Sequence, residues 1–182
     1  MPAMNEAHSV ITVSARSVGD GNNATPAVIA ALSKLENGGT LRFEKGEYHF
    51  YEEGTLKRFY AVSNNDAGEK SIVFPLIQKN DVTVDGGGSV FVFHGKIFPF
   101  VADACRGLTL KNMTVDRSQS TFVKMRIRDV DDTGFGLEID DGAYPFRVEH
   151  GSLIFPREWG EFSGLERKYS LHSADRFRVR YL

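Results

Sequence analysis

The chain has 182 residues, of which 41% are hydrophobic and 25% charged, the composition of an ordinary globular domain. Its 22 basic and 24 acidic residues nearly balance, so charge indicates neither nucleic acid nor a membrane as a partner. The single cysteine, Cys105, excludes an internal disulfide framework and a cysteine-built metal site. Its position in a strand-like run predicts a buried structural thiol. No segment reads as a signal peptide or as a membrane span, which leaves a cytosolic protein, or a secreted one without its leader, as open alternatives.

The first predicted elements are a short strand at 11–13 and one helix. Thr25 is expected as the N-cap and Pro26 as the first helical residue. Apolar residues then recur at helical spacing, at Val28, Ala31, Leu32 and Leu35. The residues Asn37-Gly38-Gly39 supply a C-terminal stop signal. We therefore predict a single amphipathic helix over 26–36, placed to cap the open end of a stack of strands.

After this helix the pattern changes to short strands with no helix between them. Strands are predicted at 40–43, 48–51 and 71–77, each rich in β-branched or aromatic residues. The polar stretch 52–70 is predicted to be an irregular loop.

Two later segments look like copies of one unit. The Phe-Pro pairs that begin at Phe74 and Phe98 are 24 residues apart, and the strands around Val84 and Leu110 are 26 apart. The difference predicts a small insertion in the second copy. Repeats of this length are typical of solenoids, and short strands with Gly, Asn and Asp corners favour a β-helix. The sequence therefore predicts an all-β parallel β-helix in which Val84 stacks on Leu110.

Beyond the repeat, the pattern of residues along the sequence changes and predicts a different arrangement. Residues 1–119 are assigned to the cap and first coils, and 120–164 to an antiparallel β-hairpin insert. One hairpin of the insert is expected to turn at 131–134 and a second at 149–151. The charged tail, 165–182, receives no predicted structure.

Several motifs resemble those of known β-helix proteins. Asp20-Gly21 leading into Thr25-Pro26-Ala27-Val28 resembles the capping segment of pectate-lyase-like right-handed β-helices. The run from Gly38-Gly39-Thr40 to Gly46-Glu47-Tyr48 resembles the element that follows this cap. More specifically, the run from Asp85-Gly86-Gly87-Gly88 to Phe93-His94-Gly95, with Pro99-Phe100 after it, resembles glycoside hydrolase family 110. The run 110–116 resembles the same family.

The resemblance covers about residues 11–160 and implies an α-galactosidase, of a family that includes α-1,3-galactosidases acting on terminal galactose. It implies two catalytic carboxylates, no metal and no cofactor, a galactose-terminated glycan as partner, and a secreted or periplasmic location. Family members are several times longer, with their catalytic aspartates on later coils. The resemblance therefore implies that this chain is an N-terminal fragment with its catalytic residues downstream and little activity of its own.

Two carboxylates within the chain are candidates for a catalytic pair. Asp85 and Asp116 each follow a strand, and parallel stacking could bring such side chains onto one face. The favoured alternative is that both are corner residues whose carboxylates bond turn amides.

Two other side chains are candidates for substrate binding. His94 follows an apolar run, where it could contact a sugar or, as we favour, fix a corner. Trp159, with Phe155 and Phe162, could form a sugar-stacking platform, although such a cluster is more often the small core of a β insert.

Acidic clusters at 129–132 and 140–141 raise the question of a calcium site. Their spacing lacks the ordered alternation of a calcium-binding loop. We therefore predict solvated turn residues and no metal.

Two other functions stay open. One is a non-catalytic β-helix module that binds glycan or serves as an assembly platform; the other is a polysaccharide lyase or epimerase acting on uronic acids. A β-helix that ends on an uncovered coil presents unpaired strand edges and apolar surface. Self-association through the open C-terminal coil is therefore expected.

Overall fold

The computed structural model describes residues 9–14, 23–61, 67–120, 122–132, 134–139, 145–149, 152–158, 160–163 and 177–180. The chain divides into two compact units, Met1–Ser118 and Gln119–Leu182.

The first unit is a right-handed parallel β-helix of about four turns, the fold class that the sequence predicts. Its described residues form β1 (Val10–Val13), α1 (Thr25–Lys34), β2 (Thr40–Phe43), β3 (Glu47–Phe50), β4 (Leu56–Tyr60), β5 (Gly68–Ile77), β6 (Thr83–Phe93), β7 (Phe98–Asp103) and β8 (Thr109–Arg117). Except for β4, these strands pair in parallel, which places successive coils directly on one another.

Each coil has three sides. The first side contains β1, β2 and the first segments of β6 and β8, and there Val84 lies beside Leu110, as predicted. The second side contains β3 and the second segments of β6 and β8, with Tyr48 beside Phe91. The third side contains β5 and β7, with β4 added to β5 in antiparallel orientation.

The register of the repeat differs from the prediction at the Phe-Pro pairs. Phe74 lies beside Phe100 rather than beside the Phe of the second Phe-Pro pair, so the third side has the same spacing of 26 residues as the first side. After the corner, Ser89 lies beside Met113, a spacing of 24. The predicted insertion in the second copy is therefore wrong. Instead the first copy is two residues longer, in the corner at 86–88.

Aromatic rings fill the centre of the coils. Neighbouring ring centroids lie 4.7 to 6.1 Å apart around Phe43 and Phe91. The fully buried rings are Phe43, Tyr48, Phe50, Phe74, Phe91 and Phe93. The Tyr48 hydroxyl donates to the backbone oxygen of Glu44 at 2.7 Å, and burial raises its pKa. Each coil thus buries its inward, alternate positions against the same positions of the next coil.

Helix α1 packs against β1 and β5, and its apolar face is buried as predicted. The predicted N-cap is wrong, because Ala24 occupies the cap position and Thr25 is the first helical residue. The Thr25 hydroxyl instead donates to the Tyr51 backbone oxygen at 2.9 Å and accepts from the Tyr51 amide at 3.1 Å. The Asn23 side-chain oxygen accepts from the Thr25 amide. Thr25 therefore ties the helix to the end of β3.

The helix ends at Lys34, two residues before the predicted end, because Leu35 has an extended backbone. The Lys79 ammonium donates to the Leu35 backbone oxygen at 2.5 Å. Among the described residues α1 is the only helix, and its ten residues fall short of the length that crosses a membrane.

The predicted loop at 52–70 contains a strand that the sequence did not indicate. Strand β4 pairs antiparallel with the first half of β5. Four of its five side chains are exposed, so the strand lacks the alternation of buried and exposed residues on which the prediction depended.

The second unit is antiparallel in its described residues. They form β9 (Met125–Asp131), β10 (Gly134–Ile139), β11 (Arg147–Glu149), β12 (Ser152–Arg157), β13 (Gly160–Ser163) and β14 (Phe177–Arg180). The pairings of β9 with β10 and of β11 with β12 are the two hairpins that the sequence predicts. Two residues of the second predicted turn, His150 and Gly151, lie outside the described residues. Strand β14 pairs with β10 and lies in the tail to which no structure was assigned.

Candidate functional site

Asp85 lies at the corner between the first and second sides of its coil. Its Oδ1 accepts hydrogen bonds from the Asn112 side-chain amide at 2.9 Å and from the Gly87 backbone amide at 3.1 Å. The Lys111 ammonium lies 3.8 Å from Oδ2. The hydrogen bond from Asn112, with that from Gly87, lowers the pKa of the Asp85 carboxyl. The side chain is therefore held as a carboxylate by the neighbouring coil, which suits a corner residue and does not suit a proton donor.

The structure does not bring Asp116 next to Asp85. Asp85 lies beside Lys111 on the first side, whereas Asp116 lies beside Val92 on the second side. The corner at 86–88 separates the two positions. Asp116 is exposed, and its Oδ1 accepts from the Arg117 backbone amide at 2.8 Å. The two carboxylates therefore lie on different sides of the coil.

The second side does bring together four other polar or aromatic side chains, which we name the His49–His94 cluster: Glu47, His49, Tyr51 and His94. Glu47, His49 and Tyr51 alternate with buried residues and therefore face outward. The His94 amide donates to the Phe50 backbone oxygen at 2.8 Å, which places His94 next to Tyr51 on the adjacent coil.

The contacts within this cluster form a chain. The Nε2 atom of His49 lies 3.0 Å from a carboxylate oxygen of Glu47. The Nδ1 atom of His49 lies 2.9 Å from Nε2 of His94. The His94 ring stacks on the Tyr51 ring, with centroids 4.2 Å apart and planes inclined by 13°. The His49 side chain is 22% exposed, and Glu47 and Tyr51 are exposed, so solvent reaches the chain of contacts.

The contact with Glu47 determines the direction of the bond between two neutral rings. A neutral imidazole donates from one nitrogen only, so a neutral His49 that donates to Glu47 must accept from His94. The polar atoms of the cluster can bond a hydroxyl-rich ligand.

The sequence singled out His94 but missed the three residues around it. A signal for them was present in the sequence: polar and apolar residues alternate in Glu47-Tyr48-His49-Phe50-Tyr51, which indicates that the side chains at 47, 49 and 51 face outward. His49 precedes His94 by 45 residues, and only the stacking register of the coils shows that they meet.

The other candidates lie in the second unit. Trp159 lies outside the described residues, as does the side chain of Phe162. Phe155 is fully buried and so cannot present its ring to a sugar. Among the described residues, no group of three or more His, Cys, Asp or Glu side chains is arranged to hold a metal ion. Asp140 and Asp141 lie outside that part of the chain.

Comparison with known proteins identifies similar sequences. The chain is 34% identical over 143 residues to alpha-1,3-galactosidase B of Akkermansia muciniphila, which covers 76% of this chain and 18% of that protein. It is 36% identical over 157 residues to alpha-1,3-galactosidase A of Shewanella woodyi, covering 84% and 26% of the two chains. It is also 34% identical over 139 residues to alpha-1,3-galactosidase B of Bacteroides thetaiotaomicron, covering 75% and 23%. No protein-family model matches. The chain thus spans 18% to 26% of the length of these curated relatives.

Proposed function

This chain is an N-terminal part of a protein like those of glycoside hydrolase family 110, and on that premise we propose that the longer protein hydrolyses a terminal α-linked galactose. The observation that carries the proposal is the similarity to three proteins named alpha-1,3-galactosidase, over 75% to 84% of the chain. A galactose-terminated glycan is then the substrate.

We further propose that the chain by itself does not catalyse the reaction. Hydrolysis of a glycosidic bond requires a carboxylic acid and a second carboxylate roughly 5 to 9.5 Å apart. Asp85 is hydrogen-bonded into a corner, and Asp116 belongs to another side of the coil. In this account, the first unit, Met1–Ser118, supplies the cap and the first coils, and the catalytic pair comes from elsewhere in the longer protein.

The test is galactose release from an α-1,3-linked galactose disaccharide. Residues 1–182 should release no galactose above the blank, whereas the Akkermansia relative, assayed beside it, serves as the positive control. Release of galactose by residues 1–182 would contradict the proposal that the catalytic pair lies elsewhere in the longer protein. In that event, Asp85→Asn and Asp116→Asn would show whether either carboxylate takes part.

A second candidate function is glycan binding without hydrolysis. The observation that favours it is the His49–His94 cluster, in which two imidazoles, a carboxylate and an aromatic ring lie together on the second side of the coil. Aromatic rings stack on sugars, and the polar atoms can bond sugar hydroxyls. Titration with a galactose-terminated glycan, followed by nuclear magnetic resonance, should then shift signals of this cluster. His94→Ala should abolish the shifts, and Thr12→Ala, on the first side, should not. A titration without shifts would reject this function.

A further inference from the structure

Strand β4 and the first half of β5 form an antiparallel pair on the third side, and its two faces differ in charge. Opposed residues of such a pair share a face, and successive residues alternate between the faces. Arg58 and Tyr60 of β4 lie on one face, with Lys70 of β5 directly opposite Arg58. Lys57 lies on the other face, opposite Ser71. We name the face with Arg58, Tyr60 and Lys70 the Arg58 face.

The cation of β4 on the other face has a carboxylate partner. The Lys57 ammonium lies 3.2 Å from Oε1 of Glu52, and the Ser71 hydroxyl donates to the same oxygen at 3.0 Å. The hydrogen bond from Ser71, with that from Lys57, lowers the pKa of the Glu52 carboxyl. The charge of Lys57 is therefore matched by a carboxylate that its neighbours keep ionised.

The Arg58 face instead places two cations directly opposite each other. Like charges in opposed positions destabilise a strand pair. Glu69 precedes Lys70 in the sequence but lies opposite Phe59, on the other face. An exchange of residues 69 and 70 would have put a carboxylate opposite Arg58. Local conflicts of this kind are expected where function, rather than stability, determines the residue.

Aromatic rings hold both cationic groups of the Arg58 face in position. The guanidinium carbon of Arg58 lies 5.1 Å from the centroid of the Tyr60 ring. The Lys70 ammonium lies 5.4 Å from the centroid of the Phe98 ring, at the start of β7. A ring attracts a cation through its quadrupole but carries no net charge. These contacts therefore orient the two cations without neutralising them.

The carboxylate that meets this face is that of Asp103, at the end of β7. Its Oδ2 accepts a hydrogen bond from the Tyr60 hydroxyl at 2.7 Å and lies 3.6 Å from a guanidinium nitrogen of Arg58. The second distance is longer than a hydrogen bond, so Asp103 attracts the guanidinium without taking up its donors. The fork of an arginine matches two oxygens of a sulfate or carboxylate group. Among the described residues, the face carries two cations and one carboxylate, which suits a ligand with a single anionic group.

We propose that the Arg58 face binds an acidic sugar, through contacts of Arg58 and Lys70 with its sulfate or carboxylate group. That a sugar carries the anionic group rests on the proposed function, whereas the charges of the face select the anion. Tyr60 and Phe98 are half-buried, so part of each ring is open to contact with the sugar.

The first test compares four ligands in titrations of residues 1–182 followed by nuclear magnetic resonance. They are a neutral galactose disaccharide, the same disaccharide with one sulfate group, a disaccharide of galacturonic acid, and inorganic sulfate. We expect an acidic disaccharide to shift the signals of β4 and to bind roughly tenfold more tightly than the neutral one. The tighter of the two acidic disaccharides identifies the anionic group, and its affinity should fall as sodium chloride is added.

Two results of this comparison would overturn the proposal. One is equal affinity for the neutral and both acidic disaccharides, or no shift of the β4 signals by either acidic one. The other is that inorganic sulfate binds as tightly as the acidic disaccharides, which would mean that the face does not recognise the sugar.

The second test uses two matched variants. Arg58→Gln should weaken binding of the acidic disaccharide roughly tenfold, because it removes the charged donors. Lys57→Gln removes a cation of similar exposure, 53% against 47%, from the adjacent position on the other face, and it should leave the affinity unchanged. Equal losses in both variants, or no loss in Arg58→Gln, would contradict the proposal. Thermal unfolding verifies that both variants fold.

This binding and the proposed hydrolysis can fail independently. Galactose release by the longer protein is assayed on a neutral α-1,3-linked disaccharide, which has no anionic group for the Arg58 face. Hydrolysis of that disaccharide without binding of acidic sugars would reject the Arg58 face alone. Binding of acidic sugars without any hydrolysis would reject the proposed function and leave the site in place.

Discussion

The environment of the Asp85 side chain favours one of two roles. Its position at the end of the first segment of β6 and before three glycines is compatible with catalysis and with a structural corner. Two hydrogen bonds to its carboxylate, from Asn112 and Gly87, are those of a corner residue. The sequence could raise both interpretations, but it could not choose, because Asn112 belongs to the next coil and its approach depends on the register.

The pKa of Asp85 predicts an acid-dependent loss of stability. The folded-state pKa is below the ordinary value of 3.8, so the stabilisation is complete above that pH and is lost as the pH falls through the folded-state pKa. Asp85→Asn should lower the free energy of unfolding by about 1 kcal/mol at pH 7, because neutral hydrogen bonds replace charged ones.

Urea unfolding between pH 2 and pH 7 measures this effect. The difference between Asp85→Asn and the unmodified chain should shrink below about pH 4, where the carboxylate of the unmodified chain takes up a proton. Glu53→Gln, a change at an exposed carboxylate, is the control and should show a much smaller difference. A difference for Asp85→Asn that stays constant with pH would mean that the carboxylate does not stabilise the corner.

The second prediction at the residue scale concerns the contact between His49 and His94. If the N–H···N bond between their rings forms in solution, the two residues should be coupled by about 0.5 to 1.5 kcal/mol in a double-mutant cycle of alanine substitutions. Additive effects of the two substitutions at neutral pH would show that the rings do not interact.

At the scale of elements, the corner at 86–88 gives a sharp comparison between two glycines. Gly87 and Gly88 both have positive backbone φ angles, of 60° and 80°. A Cβ at Gly87 would collide with the backbone oxygen of Phe43, whereas a Cβ at Gly88 would meet nothing within 4 Å. The corner therefore requires glycine for its backbone at both positions and for close approach of the neighbouring coil at one.

Alanine substitution separates these two requirements. Gly88→Ala should cost about 1 kcal/mol of unfolding free energy, because it adds only the strain of a left-handed residue. Gly87→Ala should cost roughly 3 kcal/mol or more, because the backbone of β2 would also have to move. Chemical denaturation of both variants measures the costs. Equal costs would show that the Phe43 backbone does not approach as closely as the structure has it.

Two of the strands that were predicted correctly have a buried, alternating face. Strands β2 and β3 alternate inward aromatic or aliphatic residues with outward polar ones, so their period is visible in the sequence. Strand β4 has no buried face, and β14 is placed by pairing with a strand some forty residues earlier in the chain. Neither the pairing of β4 nor that of β14 produces a recognisable pattern in the sequence of the strand itself.

At the scale of the whole molecule, the parallel β-helix was predictable because its repeat occurs twice in the sequence. The register within it was not fully predictable. Two Phe-Pro pairs suggested one alignment, but packing aligned Phe74 with Phe100, since inward rows must stay continuous from coil to coil. The His49–His94 cluster depends on the same registers. A site built by stacking can be read from sequence only after every coil has been aligned.

The central claim is the proposal that the first unit of this chain, Met1–Ser118, forms the cap and first coils of an α-galactosidase-like protein. The most direct test is a chimera in which the matching segment of the Akkermansia alpha-1,3-galactosidase B, 143 residues long at 34% identity, is replaced by the corresponding residues of this chain. We expect the chimera to fold and to release galactose from an α-1,3-linked disaccharide, while residues 1–182 alone release none. A chimera that folds, as judged by circular dichroism and cooperative thermal unfolding, but releases no galactose would contradict the account.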